Sequence, residues 1–240
     1  MAKTKAETTD VAVPGDSNMP VIGADQFSLK DNMDGVEAQL PAIKIIHQGQ
    51  MFAFPDESKQ LSFVGTIIDM NRANAYWPIS FDESGGGEPP TCSSLDGITP
   101  EMSSEEIQSE SGSCIDCPRN QFGSDGKRGK QCKNMKRIHI LGNSSVMPFR
   151  LTVPPTNMKS VDLYVSLLTS QGIPYQLVET EFTLKKVTNK DGIEYSELVM
   201  KNLGPCPMVQ NKEDAMKLKA LINQWKNIMR GEQITDTEAG

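Results

Sequence analysis

Apolar residues in this chain fall into short runs, many of them β-branched and bounded by proline, glycine or asparagine. Ala42-Ile43-Lys44-Ile45-Ile46-His47, opened by Pro41 and ended by Gly49, predicts the first strand. Residues 50–54 predict a second, before a Pro55-Asp56 turn. Residues 61–70 predict a third, with Gly65 inside it as an expected bulge or bend. Residues 74–81 form a short aromatic-rich element containing Tyr76, Trp77 and Phe81. The pattern then empties: from 82 to 134 the only large apolar residues are Leu95, Ile98, Met102, Ile107, Ile115 and Phe122. Strands resume at 137–141, turn at Gly142-Asn143, and continue over 147–153. Pro154-Pro155-Thr156-Asn157 stops that strand and supplies an N-cap. The helix that follows spans about 158–169, with Val161, Tyr164, Val165 and Leu168 on one face and Gly172 at its end. Residues 177–187 and 193–200 predict a hairpin around a glycine-containing connector. Residues 211–229 predict an amphipathic helix in which Trp225 anchors the core and Asn211 with Asp214 resembles a capping box.

Strands predominate, with few helices to cross between them. The expected fold is mainly β: an antiparallel sheet closed or nearly closed into a barrel, with a zinc-binding loop insertion, one mid-chain helix and a C-terminal helix. A five-stranded barrel of the oligonucleotide/oligosaccharide-binding type is the natural candidate, although periodicity alone fits another small β-barrel or an α+β sheet equally well. The expected organisation is a disordered lead-in at 1–20, one barrel domain at 21–230 with its insertion at about 82–137, and an acidic disordered tail at 231–240.

The sparse stretch carries four of the five cysteines. Cys114 and Cys117 form a C-x-x-C pair, with Cys92 and Cys132 at loop distance on either side. Two thiolates from such a turn and two more from flanking loops make a tetrahedral Cys₄ site for structural Zn²⁺. A stretch with so few apolar residues cannot bury a core of its own, and a bound ion adds its binding free energy directly to folding. The alternatives are idle buried thiols, a redox pair and a disulfide. Gly112, Ser113 and Pro118 give the pair a loop setting unlike that of a thioredoxin-type site, and nothing near Met1 reads as an export signal. An iron–sulfur cluster uses the same four thiolates and stays open on spacing alone. Cys206, between Pro205 and Pro207, reads as a free thiol in a turn.

Charge is segregated around these cysteines. From Asp82 to Asp116 there are nine acidic residues and no Lys or Arg. From Lys127 to Arg137 there are six basic residues (Lys127, Arg128, Lys130, Lys133, Lys136 and Arg137) and no acidic one. Blocks of this kind are solvated loops, cations that stabilise a thiolate centre, or a phosphate-contacting patch. The whole chain has a net charge of −7, so its total does not advertise nucleic-acid binding. No apolar run reaches membrane-span length, and the expected location is the cytoplasm. Enzyme readings lack parts. There are two histidines, both in strand-like runs, and no phosphate-cradling glycine motif; Gly85-Gly86-Gly87 reads as a hinge. No H-x-E precedes the C-x-x-C as a zinc deaminase requires, and a closed Cys₄ site leaves no coordination position for water.

The combination CSSLDG, CIDCPRNQFGS and GKQCKNMKRIHIL, followed by PFRLTVPPTN and the LVETEFTLKK and IEYSELVM hairpin, resembles a family of phage-encoded proteins found among replication genes. The resemblance covers roughly residues 41–200. It implies single-stranded DNA binding on an oligonucleotide-binding barrel with a zinc-binding insertion, active in phage replication or recombination in the host cytoplasm. For sites it implies the four matched cysteines and, more loosely, the basic run. The acidic tail resembles the partner-recruiting tails of single-strand binding proteins, and so points to replication or recombination proteins as partners. Such binding needs cations for phosphates and exposed rings for base stacking, for which Tyr76, Trp77 and Phe122 are the candidates. The alternatives are a zinc-containing protein–protein adaptor acting on host transcription machinery, with the acidic arm as its contact surface, and a structural role in the virion.

Overall fold

The computed structural model describes residues 39–46, 49–79, 89–102, 112–143, 145–188, 192, 194–232 and 234. The expected lead-in, His47, the glycine run at 85–87, Phe81 and much of the acidic arm lie outside them. Ten strands are present: β1 (Ala42–Ile46), β2 (Met51–Ala53), β3 (Lys59–Gln60), β4 (Ser62–Tyr76), β5 (Cys92–Ser94), β6 (Glu101–Met102), β7 (Lys133–Leu141), β8 (Phe149–Val153), β9 (Val178–Thr188) and β10 (Glu194–Pro205). Among the described residues two α-helices accompany them, α1 (Met158–Ser170) and α2 (Lys212–Gly231). All ten strands join one curled sheet in the order β10-β9-β4-β7-β8-β1-β2-β3, with β5 and β6 attached beside β4. The fold is mainly β, as the apolar runs predict.

β4 is the spine of the sheet. It pairs with β9 through Ser62 to Thr66, with β7 through Thr66 to Ala75, and with β5 through Asn74 to Tyr76. The sequence splits it in two because Asn71, Arg72 and Asn74 interrupt the apolar run. The structure keeps it as one strand because Ala73 and Ala75 are fully buried in a small core with Met135 and Ile234. The bulge also sits elsewhere than expected. The β4–β7 register slips between Ile67 and Asp69, which leaves Ile68 as the extra residue. Gly65 has a different duty: a Cβ there would stand 2.5 Å from Ile140 Cγ2, so the glycine makes room for a side chain of β7.

The bulge decides what the two faces carry. Ile67 points toward α1 with Phe63, Ile138, Ile140, Leu151 and Phe182, where Val161, Tyr164 and Leu168 of α1 complete the main core. Ile68 points the other way and packs with Leu141 against Leu218, Trp225 and Met229 of α2. Asp69, next in the chain, joins Ile68 on that face and makes a two-pronged pair with Arg230, at 2.8 and 2.7 Å. Helix α2 starts as expected, with Asn211 accepting from Asp214 N at 3.0 Å. Trp225 is buried, and its Nε1 donates to Val146 O at 2.8 Å.

Asn157 departs from expectation. It occupies the N-cap position of α1 but makes no capping bond. Its Nδ2 instead donates to Ser196 O at 2.9 Å and its Oδ1 accepts from Leu198 N at 3.0 Å. The side-chain amide treats β10 as a neighbouring strand would, and so satisfies buried backbone groups of the last strand in the sheet order. Of the expected acidic tail, residues 231, 232 and 234 are described. Glu232 and Ile234 are buried, Glu232 accepts from Leu40 N at 2.9 Å and pairs with Arg150, and only 235–240 and residue 233 lie outside the described residues. Among the described residues no helix is long and apolar enough to cross a membrane.

Candidate metal centre and nucleic-acid surface

The four cysteines reach one region from three directions. Cys92 opens β5, where it faces Tyr76 of β4 and Met102 of β6. Cys114 N donates to Ile98 O at 2.8 Å, which pins the C-x-x-C to the β5–β6 loop. Cys117 caps a short 3₁₀ turn, Pro118–Asn120, and Cys132 N donates to Arg119 O at 3.0 Å just before β7 begins. All five cysteines are free. Burial pushes the Cys92 thiol up, and Cys114 and Cys117 push it further. The same causes, burial first and then Cys114, Cys92 and Cys117, push Cys132 up to about 12. Arg119 and Lys130 oppose these shifts. Yet among the described residues no three His, Cys, Asp or Glu side chains converge tightly enough to count as a ligand group. The two facts are compatible, because charge acts at longer range than the sulfur–sulfur spacing of about 4 Å that Zn–S bonds impose. The sulfurs are neighbours, not yet ligands. Their chemistry fits a soft divalent ion: thiols gathered without a disulfide, whose ionised forms repel one another until a cation stands among them.

Hydrogen bonds, not apolar packing, shape the loop between Cys114 and Cys132. Asp125 accepts from Lys127 N at 2.8 Å and from Gly129 N at 3.0 Å. Ser124 Oγ donates to Arg119 O at 2.9 Å and accepts from Gln131 N at 2.9 Å. Asp96 does the same for the β5–β6 loop. The backbone N–H groups of Thr99 and Ile98 that it accepts hold its carboxyl down at about 2. Asn120 is a hub that no spacing rule singles out. Its Nδ2 donates to Cys114 O at 2.6 Å, and its Oδ1 accepts from Lys130 Nζ at 3.2 Å and Asn134 Nδ2 at 2.9 Å. Asn134 donates in turn to Asn74 of β4, at 2.8 Å.

The expected basic patch divides in two. Lys127, Arg128 and Lys133 are exposed and Lys130 is half-buried. Lys136 and Arg137 are not surface cations: both belong to β7, in the middle of the sheet. Lys136 is buried and pairs with Asp162 of α1. Arg137 is fully buried and donates to the Glu232 carbonyl. The alternation of β7 turns these two side chains to opposite faces, and a helix or its C-terminal extension covers each face. The candidate rings separate as well. Phe122 is 81% exposed, with Lys130 Nζ 4.9 Å from its ring centroid. Tyr76 is half-buried, and Arg119 lies over its ring at 4.9 Å. Trp77 is half-buried and packs on the Ala73, Ala75, Met135 and Ile234 core. Two further apolar side chains of the cysteine region are exposed, Ile115 at 65% and Ile98 at 55%. Gln121 Nε2 donates to Ile115 O at 2.8 Å and ties the first of them to the Phe122 loop. Cys206 lies after β10 as expected, but it is buried, and its Sγ accepts from Thr66 Oγ1 at 3.2 Å.

Set against protein-family models, curated proteins and solved structures, the chain matches none of the three. Its own residues therefore carry the functional reading.

Proposed function

We propose that this chain is a non-enzymatic, sequence-tolerant single-stranded DNA-binding protein of the oligonucleotide-binding barrel type, acting in phage DNA replication or recombination in the host cytoplasm. The observation that carries this reading is Phe122: a large ring left 81% exposed on a loop that also presents Lys127, Arg128 and Lys130 and leads into Lys133 at the start of β7. A ring so exposed buries little apolar surface on folding, whereas stacking on a base is worth roughly 1–3 kcal/mol and is tolerant of sequence. Neighbouring cations supply the phosphate contacts and the salt dependence. Cys92, Cys114, Cys117 and Cys132 would hold a structural Zn²⁺, which would keep the loop and its cation–aromatic pair in one place. Such an ion is a clasp without open positions, so it fits a binding role.

Gel shifts with single- and double-stranded oligonucleotides at two salt concentrations test this. The expected outcome is salt-sensitive retardation of single strands, weakened at least tenfold when Phe122, Lys130 and Lys133 are all replaced by Ala. Retention of full affinity in that variant would refute the assigned surface. The exposed Ile98 and Ile115 favour a second reading, a zinc-containing adaptor whose apolar loop docks on a protein such as the host transcription machinery. On that reading the purified chain ignores single strands at both salt concentrations.

A further inference from the structure

We infer that Asn120 is a positioning residue that couples the cysteine knuckle to the DNA-contacting pair; this rests on the single-strand-binding reading above. Its amide touches three parts of the loop. Nδ2 holds the Cys114 carbonyl inside the C-x-x-C turn, while Oδ1 takes both the Lys130 ammonium and the Asn134 amide. Lys130 is the cation that lies over the exposed Phe122 ring. Asn134 is bonded to the buried Asn74 of β4, so the hub is referenced to the rigid sheet. A flexible lysine beside an exposed ring samples many rotamers, and fixing one through an accepted hydrogen bond lowers the entropic cost of presenting cation and ring together to a nucleotide. Asn120 therefore contributes to DNA affinity without touching DNA. It acts through Lys130, and it makes the order of the knuckle a condition of the binding geometry.

Fluorescence anisotropy with a labelled oligo-thymidylate, read across a salt series, tests this with four variants: Asn120→Ala, Lys130→Ala, the double variant and Asn120→Asp. Asn120→Ala is expected to weaken binding about tenfold and to reduce the slope of log K against log salt by up to about 0.7, the share of one phosphate contact on a single strand. The double variant is expected to bind no more weakly than Lys130→Ala, because both changes remove one contribution. Asn120→Asp keeps the acceptor for Lys130 and Asn134 but loses the donor to Cys114. With the link to the knuckle cut, it is expected to lose about as much affinity as Asn120→Ala. Losses that multiply in the double variant, or an Asn120→Asp protein of native affinity, would overturn the inference, since the knuckle contact would then play no part in presenting Lys130. Should the native protein fail to bind single strands at all, the functional reading falls and the coupling is judged without DNA. Faster amide exchange at 127–132 in Asn120→Ala then supports the coupling, and unchanged exchange refutes it.

Discussion

His139 is fully buried in β7, and neither ring nitrogen has a hydrogen-bond partner among the described residues. Burial pulls its pKa down to about 4 against the opposing influence of Asp69, and the charges of Arg137, Arg150 and Arg230 pull the same way as burial. The sign of the consequence follows from proton counts. Between about pH 6.5 and 4 the unfolded chain holds a proton that the native chain does not, so stability falls as pH falls through that window. The full shift is worth about 3 kcal/mol at most. Urea unfolding at pH 7.5 and pH 4.5 should show the native protein losing about 2 kcal/mol more than a His139→Gln variant, since carboxylate titration is common to both. Equal losses would mean that His139 is protonated, or wetted, in the folded state. The sequence places this histidine in an apolar strand two residues after Arg137 and gives no sign of the other two arginines. Arg150 comes from the neighbouring strand and Arg230 from the far end of the chain, where only tertiary structure brings them to it.

At the scale of elements, periodicity is a good guide wherever one face of an element meets one core. Helix α1 buries Val161, Tyr164 and Leu168, and α2 buries Leu218, Trp225 and Met229, at the positions the 3.6-residue period picks out. The β9–β10 hairpin is equally legible, because its two-residue alternation is interrupted by a glycine connector. β7 is not, because both of its faces are covered. Alternation there carries Met135, Arg137, His139 and Leu141 to the α2 side and Lys136, Ile138 and Ile140 to the α1 side. A buried arginine or lysine in such a strand reads locally as part of a charge run. Its partner is remote: Asp162 lies 26 residues from Lys136, and the Glu232 carbonyl lies 95 from Arg137. The cysteine loop is legible for the opposite reason, since it has little core to confuse the reading. Its structure depends on side-chain hydrogen bonds and, on the proposed reading, on an ion. The native protein is then expected to contain about one zinc per chain, and Cys114→Ser well under half of that. Amide exchange should quicken across 112–132 in that variant or after chelation, while β4 and β7 remain protected. A metal-free native protein, or a loop indifferent to chelation, would defeat the zinc assignment.

Across the whole molecule, the proposed function requires that a chain of net charge −7 attract a polyanion. Bulk repulsion favours a weak encounter at low salt, so any affinity must come from segregation: the cations at 127–133 on one loop and the start of β7, and acids such as Asp69, Asp162 and Glu232 each tied to a basic partner. With Lys136 and Arg137 inside the fold, four cations remain to contact phosphates, not six. On single strands each released counterion contributes about 0.7 to the slope, so four contacts give a slope near −3, and a fivefold rise in salt weakens binding about a hundredfold. Six contacts would give a slope beyond −4. Replacing Lys127, Arg128, Lys130 and Lys133 by Ala should flatten the slope almost to zero with little change in unfolding free energy, as expected for exposed charges. Arg137→Ala should do the reverse. It removes a donor to the buried Glu232 carbonyl and vacates a fully buried site beneath the α2 extension, so it should cost about 3 kcal/mol of stability while any remaining folded protein keeps the native slope. A slope that falls by about 0.7 in Arg137→Ala would place that arginine on the DNA and contradict its burial in β7.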